Sequence, residues 1–123
     1  KEIIVDILIL LSFFTVKHFI VDFVLQTTEE IEHKGTYLDW RGVKHSVKHG
    51  IGTLLILWVV SANIELGYLY AAADFLIHYH IDWAKMNMSK NLTTADQIFW
   101  VWLGFDQTLH YLTYIMFIAI MIS

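Results

Sequence analysis

The chain has 123 residues, which suits a single domain, and 57% of them are hydrophobic, with a formal net charge of −4. Cysteine is absent, which excludes disulfides, iron–sulfur clusters and thiolate metal sites, and the absence of proline permits long uninterrupted helices. No basic patch indicates a nucleic-acid partner.

Four long apolar segments follow one another along the chain, at about residues 3–25, 43–62, 66–88 and 95–122. Each approaches the roughly 20 residues that an α-helix needs to cross a bilayer. The first carries acids at Glu2 and Asp6 and no small-residue cleavage pattern, so we expect a retained helix rather than a signal peptide. The prediction is a single all-α domain over residues 1–123, built as a four-helix transmembrane bundle.

Polar breaks separate the four segments and carry signals for helix starts and turns. In the break at 26–44, Thr27 or Thr28 precedes acidic residues and predicts the cap of a short helix. Asn63 lies in the second break and predicts a short turn. In the third break, Thr93 or Thr94 predicts the cap of the last helix.

Positive charge is concentrated in and beside the first and third breaks. Because positively charged loops stay on the cytoplasmic side, we expect both breaks to be cytoplasmic and both termini to face outward from a cytoplasmic membrane. A soluble bundle is the alternative, but residues 51–60 and 111–122 offer it no polar outer face. The basic residues concerned are Lys34, Arg41, Lys44, Lys48, Lys85 and Lys90.

Histidine and aspartate residues recur four positions apart inside these apolar segments. Side chains at this spacing lie on one face of a helix, and ionisable groups within a membrane helix are costly enough to indicate a functional site. The predicted topology brings all of them into the cytoplasmic leaflet, as a polar core of the bundle. The pairs are His18/Asp22, His45/His49, His78/Asp82 and Asp106/His110, with Asp74 one turn before His78.

Imidazole and carboxylate groups are ligands for divalent metals, with zinc as the first choice and iron or manganese as alternatives. The candidates exceed the four ligands of one tetrahedral zinc ion, so either two ions bind or some of these side chains only orient the others. Gln26 and Gln107 are candidates for supporting contacts. The predicted metal ligands are His18, Asp22, His45, His49, His78, Asp82, Asp106 and His110.

Three motifs and one histidine pair carry a resemblance to a known family. The motifs are HFIVDFVLQ at 18–26, HYHIDWAK at 78–85 and DQTLH at 106–110, and the pair is His45/His49. Together and in this order they resemble the domain-of-unknown-function 3307 family, small integral membrane proteins of bacteria and their phages. The resemblance implies a membrane helical bundle and no particular activity. In spacing alone, the pairs are also similar to membrane-bound metal-dependent hydrolases and helical zinc-dependent phospholipases.

The function we expect is metal-dependent hydrolysis of a lipid or of another membrane-associated ester or phosphoester. The metal would activate a water molecule, Asp74 or Asp106 would act as general base, and Lys85 would hold a phosphate. The alternatives are a non-catalytic metal or haem binder, a proton or cation transport subunit, and a structural membrane subunit. The lipid bilayer is the expected partner, and assembly into an oligomer is left open.

Overall fold

The fold is all-helical, as predicted, in the computed structural model, which describes residues 2–60 and 64–123. No strand occurs among these residues. The predicted long helices correspond to α1 with a π-helical extension, α3, α4 and α5, and a short α2 lies between the first two. Their bounds are α1 Glu2–Phe19, the π-helical segment Ile20–Val24, α2 Thr28–His33, α3 Trp40–Val60, α4 Ile64–Met88 and α5 Gln97–Ile122.

The short helix α2 begins as the sequence predicts. The Thr27 hydroxyl accepts a hydrogen bond from the backbone N–H of Glu30 at 3.2 Å, and the Glu30 carboxylate accepts one from the backbone N–H of Thr27 at 3.3 Å. This reciprocal capping box satisfies two backbone donors that a helix start otherwise leaves free. Of the two predicted candidates, Thr27 is the cap.

Two other helix boundaries differ from the prediction. α3 begins at Trp40, because the Asp39 carboxylate accepts a hydrogen bond from the backbone N–H of Arg41 at 3.0 Å. α5 begins at Gln97 with Asp96 at its N-cap position, so the predicted caps Thr93 and Thr94 are wrong. Thr93 instead donates its backbone N–H to the Asp96 carboxylate, in a turn before the helix. The predicted end of the second helix at residue 62 and the turn at Asn63 lie outside the described residues.

The long helices run in alternating directions and separate an apolar core from a polar cluster. Buried apolar side chains come from the first part of α1 and α4 and from the last part of α3 and α5. The His/Asp pairs occupy the opposite ends of the same helices, so they share the other half of the bundle. The core consists of Leu10, Phe14, Ile56, Leu57, Tyr70, Tyr114, Phe117 and Ile118.

Two stretches are long and apolar enough to cross a membrane, Glu2–Val24 and Gln97–Ile122. By itself this is weak evidence for a membrane protein. Helices α3 and α4 are not among these candidate membrane spans, because their polar residues lower their mean hydropathy. Large apolar side chains nevertheless point outward around the molecule, among them Val59 at 77% exposure and Phe23 and Leu69 at 65% each. Extended exposed apolar surface of this kind is typical of a membrane or protein interaction surface.

The close approach of α3 to the end of α2 requires a glycine at position 42. A Cβ atom on Gly42 would lie 2.8 Å from the backbone Cα of Lys34, whereas one on Gly104 in α5 would meet nothing within 4 Å. We expect Gly42→Ala to destabilise the fold by about 1–3 kcal/mol through overpacking. Gly104→Ala should stabilise it by about 0.5–1 kcal/mol, because alanine favours the helix. Thermal unfolding of both variants in detergent tests this, and equal stability of the two would contradict it.

Candidate metal centre

All four long helical stretches bring their predicted ligand residues to one buried place. Each pair lies on one face of its helix, and the antiparallel arrangement makes the four faces meet. The side chains brought together and buried are His18, Asp22, His45, His49, His78, Asp82, Asp106 and His110. Their service as metal ligands stays a prediction, while their convergence in one half of the bundle is a feature of the structure.

Asp22 enters the centre from a distorted turn of helix. It lies in the π-helical segment, where the backbone N–H of Leu25 donates to the carbonyl of Ile20 at 2.8 Å, five residues back. Such wide turns are rare and often occur at functional sites. The Asp22 Oδ1 atom lies 2.7 Å from Nε2 of His49 and 3.1 Å from Nε2 of His45, and its Oδ2 atom lies 3.1 Å from Nε2 of His18.

Asp82 is the second carboxylate, after Asp22, that contacts several histidines of the centre. Its Oδ2 atom lies 3.2 Å from Nε2 of His78 and 3.4 Å from Nε2 of His45. Its Oδ1 atom lies 3.2 Å from Nε2 of His110, and that nitrogen is also 3.3 Å from Oδ1 of Asp106. The ring of His78 stacks between those of His49 and His110, at centroid distances of 3.5 and 3.8 Å.

Two groups of these residues could hold a metal ion. One consists of Asp22, His45, His49 and His78, and the other of His78, Asp82 and His110. Within each group the ligand atoms lie within 4.8 Å of one another, and His78 belongs to both. The donors are imidazole nitrogens and carboxylate oxygens only, a set that suits zinc, iron and manganese alike.

Several buried polar atoms of the centre have no hydrogen-bond partner. An unsatisfied buried donor or acceptor costs about 1–3 kcal/mol, so such atoms need an explanation. Nitrogen and oxygen lone pairs that converge on one point are satisfied together when a cation occupies that point. The atoms concerned include both ring nitrogens of His45 and of His78, Oδ2 of Asp82 and Oδ1 of Asp106.

Two buried lysines belong to the centre, and the sequence prediction missed both. Lys17 Nζ donates to Oδ2 of Asp74 at 2.8 Å and lies 3.1 Å from Nδ1 of His49. Lys34 Nζ donates to Oε1 of Gln26 at 3.0 Å and lies 3.6 Å from Oδ2 of Asp82. Lys17 carried a usable signal, since it interrupts an apolar helix. Lys34 lies in a polar break, where a lysine is ordinary.

Nearby carboxylates determine the charge state of Lys34, which follows α2 outside the candidate membrane spans. Burial alone would lower the pKa of this ammonium group. The negative charges of Asp82, Asp22 and Asp106 outweigh burial and raise its pKa above the usual range. Lys34 is therefore a fixed positive charge beside the centre.

The three predicted catalytic residues occupy different places around the centre. Asp74 is separated from the histidine cluster by Lys17, and it also accepts a hydrogen bond from Oγ1 of Thr53 at 2.5 Å. Asp106 lies inside the cluster, next to His110. Lys85 lines a cavity of about 280 Å³ between α4 and α5, together with Asp106. Their catalytic roles stay predictions.

Gln107, predicted as a supporting residue, joins three members of the cluster. Its amide nitrogen donates to Oδ2 of Asp22 at 3.3 Å and to Oδ2 of Asp106 at 3.1 Å. Its carbonyl oxygen lies 2.7 Å from Nε2 of His18. The second nitrogen of that ring, Nδ1, lies 2.9 Å from the hydroxyl of Tyr114, a contact that the sequence did not predict.

Glu30 connects α2 to the centre and makes the fold sensitive to acid. Burial alone would raise the pKa of Glu30, but hydrogen bonds from Lys48 and from the Thr27 backbone lower it below its usual value of 4.5. A lowered pKa in the folded state stabilises the fold above that usual value, and the stabilisation is lost as the pH falls through the folded-state pKa.

We therefore expect Glu30→Gln to be less stable than the wild type at neutral pH and to lose less stability on acidification. The loss at neutral pH should be about 1.5–3 kcal/mol, typical of a hydrogen bond to a charged group. Unfolding midpoints measured in detergent across the acid range test this, with Glu32→Gln, on the exposed side of α2, as the control. An acid profile of Glu30→Gln that parallels the wild type would contradict the prediction.

The sequence of the chain matches the model of a known family. Residues 9–123 match the model of the family described as "Protein of unknown function (DUF3307)". The chain belongs to this family. The family resemblance of its motifs is thus confirmed, whereas the likeness of this DUF3307 chain to membrane-bound metal-dependent hydrolases still depends on spacing alone. No curated protein and no solved structure matches the chain.

Proposed function

We propose that this DUF3307 chain is an integral membrane enzyme that uses bound divalent metal to hydrolyse an ester or phosphoester of a lipid or membrane-associated molecule. The observation that carries the proposal is the set of buried ligand atoms on His45, His78 and Asp82 that make no hydrogen bond. Zinc is the first choice, with iron or manganese as alternatives, and the overlapping residue groups have room for one ion or two.

The proposed enzyme crosses the membrane four times. α1 with its π extension and α5 have the required length and apolarity. α3 and α4 would cross with their polar faces turned toward the centre and their apolar faces toward lipid, as ionisable residues in membrane helices generally do. Positively charged loops stay on the cytoplasmic side, so the helix ends next to Lys34 and Lys90 would face the cytoplasm. Both termini would then face outward, and the centre would lie in the cytoplasmic leaflet.

The proposed chemistry follows from the types of side chain present. A divalent metal lowers the pKa of bound water and polarises the bond to be broken. Asp106 is the better placed of the two predicted general bases, because its Oδ1 atom is buried without a hydrogen-bond partner. Asp74, by contrast, is held in an ion pair with Lys17 at 2.8 Å.

The cavity between α4 and α5 suits an anionic amphiphile. Trp102, Phe105 and Leu109 provide apolar walls, and Asp106 connects the cavity to the centre. The ammonium group of Lys85 lies 3.5 Å from Sδ of Met86, a weak acceptor that leaves its charge available to a phosphate. An acyl chain along the walls with its phosphate at Lys85 would place the ester region beside Asp106.

Hydrolysis of anionic phospholipids by the purified, metal-loaded chain in mixed micelles tests the proposal. We expect Lys85→Ala to raise KM by about 10-fold or more with kcat little changed, because a charge-assisted hydrogen bond contributes about 1.5–3 kcal/mol. Lys90→Ala, in the exposed break after α4, is the matched control. Metal-loaded protein that cleaves no ester or phosphoester amphiphile, or a Lys85→Ala enzyme with unchanged KM, would contradict the proposal.

Non-catalytic metal binding is the second candidate function. It is favoured by the deep burial of the cluster, in which His45 and His49 have no exposed surface. Structural metal sites are typically closed, whereas catalytic ones keep an open position. Haem is disfavoured, because histidine rings stacked 3.5 and 3.8 Å apart leave no gap for a porphyrin. Full metal content without any hydrolysis would favour this second function.

A further inference from the structure

We infer that four of the five histidines of the centre divide into two sets with different roles, an inference that rests on the proposed metal site. His45 and His78, with Asp22 and Asp82, take the first ion through their lone pairs. His49 instead donates its N–H group to Asp22, and His18 donates its N–H group to Gln107, which in turn donates to Asp22. The division follows from the hydrogen-bond partners of each ring nitrogen.

The role of His18 follows from the orientation of Gln107. The Gln107 amide group contacts two carboxylate oxygens, of Asp22 and Asp106, and carboxylates only accept hydrogen bonds. Its NH₂ must therefore face them, which turns its carbonyl oxygen toward Nε2 of His18 at 2.7 Å. A carbonyl oxygen also only accepts, so Nε2 of His18 carries a proton. Its lone pair is not available to an ion.

The second ring nitrogen of His18, Nδ1, is not available to bind the ion either. Nδ1 lies 2.9 Å from the hydroxyl of Tyr114, on the side of the ring away from the cluster. In the neutral ring, Nδ1 accepts a hydrogen bond from this hydroxyl. His18 is absent from both groups of residues whose atoms could surround an ion, whereas His49 belongs to one of them and is excluded by its tautomer alone. It is a positioning residue that donates to Gln107, whose amide group donates to Asp22.

The role of His49 follows from Lys17. The Lys17 ammonium group, paired with Asp74 at 2.8 Å, lies 3.1 Å from Nδ1 of His49 and has only hydrogen-bond donors to offer. Nδ1 of His49 must then be the acceptor, so Nε2 carries the proton and donates to Oδ1 of Asp22 at 2.7 Å. Metal ligation by Nε2 would need the proton on Nδ1, where it would face an ammonium donor. Lys17 thereby sets the tautomer of His49.

The four nitrogen-to-oxygen distances among the remaining atoms are close to those of one tetrahedral site. Nε2 of His45 lies 3.1 Å from Oδ1 of Asp22 and 3.4 Å from Oδ2 of Asp82. Nε2 of His78 lies 3.7 and 3.2 Å from the same two oxygens. Ligand atoms bound at about 2.0–2.1 Å to one tetrahedral zinc ion lie about 3.3 Å apart. Both nitrogens lack a hydrogen-bond partner, unlike those of His18 and His49.

Glu30 supports the assignment of His45. Its Oε2 atom lies 3.8 Å from Nδ1 of His45, the nitrogen that the ion does not use. Metal-bound histidines usually direct their second nitrogen at a carboxylate or carbonyl, which fixes the ring orientation. The Glu30 carboxylate lies on the far side of the His45 ring at 3.8 Å, too far for a hydrogen bond, and two carboxylates lie on the near side. The far side of the His49 ring instead contacts an ammonium group.

Histidine ¹⁵N NMR of the wild-type chain in detergent micelles tests the division without any substitution. In the chelator-treated protein we expect Nε2 of His18 and of His49 to be protonated. Added zinc should shift the Nε2 signals of His45 and His78, while His18 and His49 keep their Nε2 protons. Zinc bound with loss of the Nε2 proton at His18 or His49 would overturn the division and leave the proposed metal site intact.

Matched glutamine variants give a second test by zinc titration. Loss of a residue that orients a metal ligand typically weakens metal binding by about 10- to 100-fold, and glutamine retains an N–H donor. We therefore expect His49→Gln and His18→Gln to weaken zinc binding by no more than about 100-fold. His78→Ala should bind no zinc at concentrations that saturate the wild type. An equal loss in folded His49→Gln and His78→Ala would overturn the division. Absence of zinc binding by the wild type would overturn the proposed function too. The NMR spectrum of the chelator-treated protein distinguishes the failure of the division from the failure of the metal site, because it shows the Nε2 protons of His18 and His49 whether or not zinc binds.

Discussion

Replacing both His78 and Asp82 by alanine should leave the purified chain with less than about a tenth of the wild-type metal content. His78 belongs to both candidate residue groups, and Asp82 lies within 3.4 Å of His45, His78 and His110. Loss of two of four ligands leaves too few donors for a tightly bound zinc ion. Elemental analysis of protein purified without added metal measures the effect.

His80→Ala is the matched control for that double substitution. His80 lies on α4 between the two replaced residues, but it is exposed and hydrogen-bonds to Tyr37 at 2.9 Å, away from the cluster. Its metal content should equal that of the wild type. Helical content measured by circular dichroism separates metal loss from unfolding. Full metal content in the folded double variant would contradict the placement of the centre.

Lys17→Met should destabilise the fold by about 3–5 kcal/mol. The substitution leaves Asp74 as an uncompensated carboxylate with 1% exposed surface, and breaking a buried ion pair from one side costs about this much. Removing both charges in Lys17→Met/Asp74→Asn should restore much of the stability, because the buried charge is then gone. Unfolding of the two variants and of Asp74→Asn in detergent completes a double-mutant cycle.

Two results would contradict this account of Lys17. One is a Lys17→Met variant as stable as the wild type, which would mean that the ammonium group does not compensate Asp74. The other is a double variant that loses as much as the two single variants together, since independent sites add. Lys90→Met, in the exposed break after α4, measures the effect of losing a lysine without a buried partner.

The helices and the shared face of each polar pair were predictable from the sequence because both depend on local periodicity. Apolar runs of helix length predict the long helices, and a spacing of four places His45 with His49 and His78 with Asp82 on one face. The Thr27–Glu30 capping box was likewise predictable, since its contacts span three residues. Each of these features is determined by residues close together in the chain.

The features that the sequence did not predict depend on contacts between distant segments. Lys34 lies in a polar break, and only the packing of α2 against the bundle brings its ammonium group within 3.6 Å of Asp82. The π-helical turn at Asp22 has no residue signature, because its extra residue is accommodated by tertiary contacts. The cap of α5 was misassigned because Thr93 and Asp96 are both good capping residues within one turn.

The sequence predicts that the four histidines face the centre, but it does not predict which ring nitrogen of each carries a proton. Spacing predicts that His18 and His49 face the centre as well as His45 and His78 do, and all four are buried there. Spacing says nothing about which ring nitrogen carries a proton. That depends on Gln107 and Lys17, which contact these rings from other helices. A spacing pattern therefore predicts which side chains converge, whereas the protonated nitrogen of each ring follows from contacts with other helices.

Elemental analysis of the wild-type chain, purified in mild detergent without added metal, tests the central claim most directly. The buried unpartnered atoms of His45, His78 and Asp82 predict near-stoichiometric zinc, iron or manganese, one or two ions per chain, removable by a chelator and restored by reloading. A folded chain that holds none of these metals under any loading condition would contradict it.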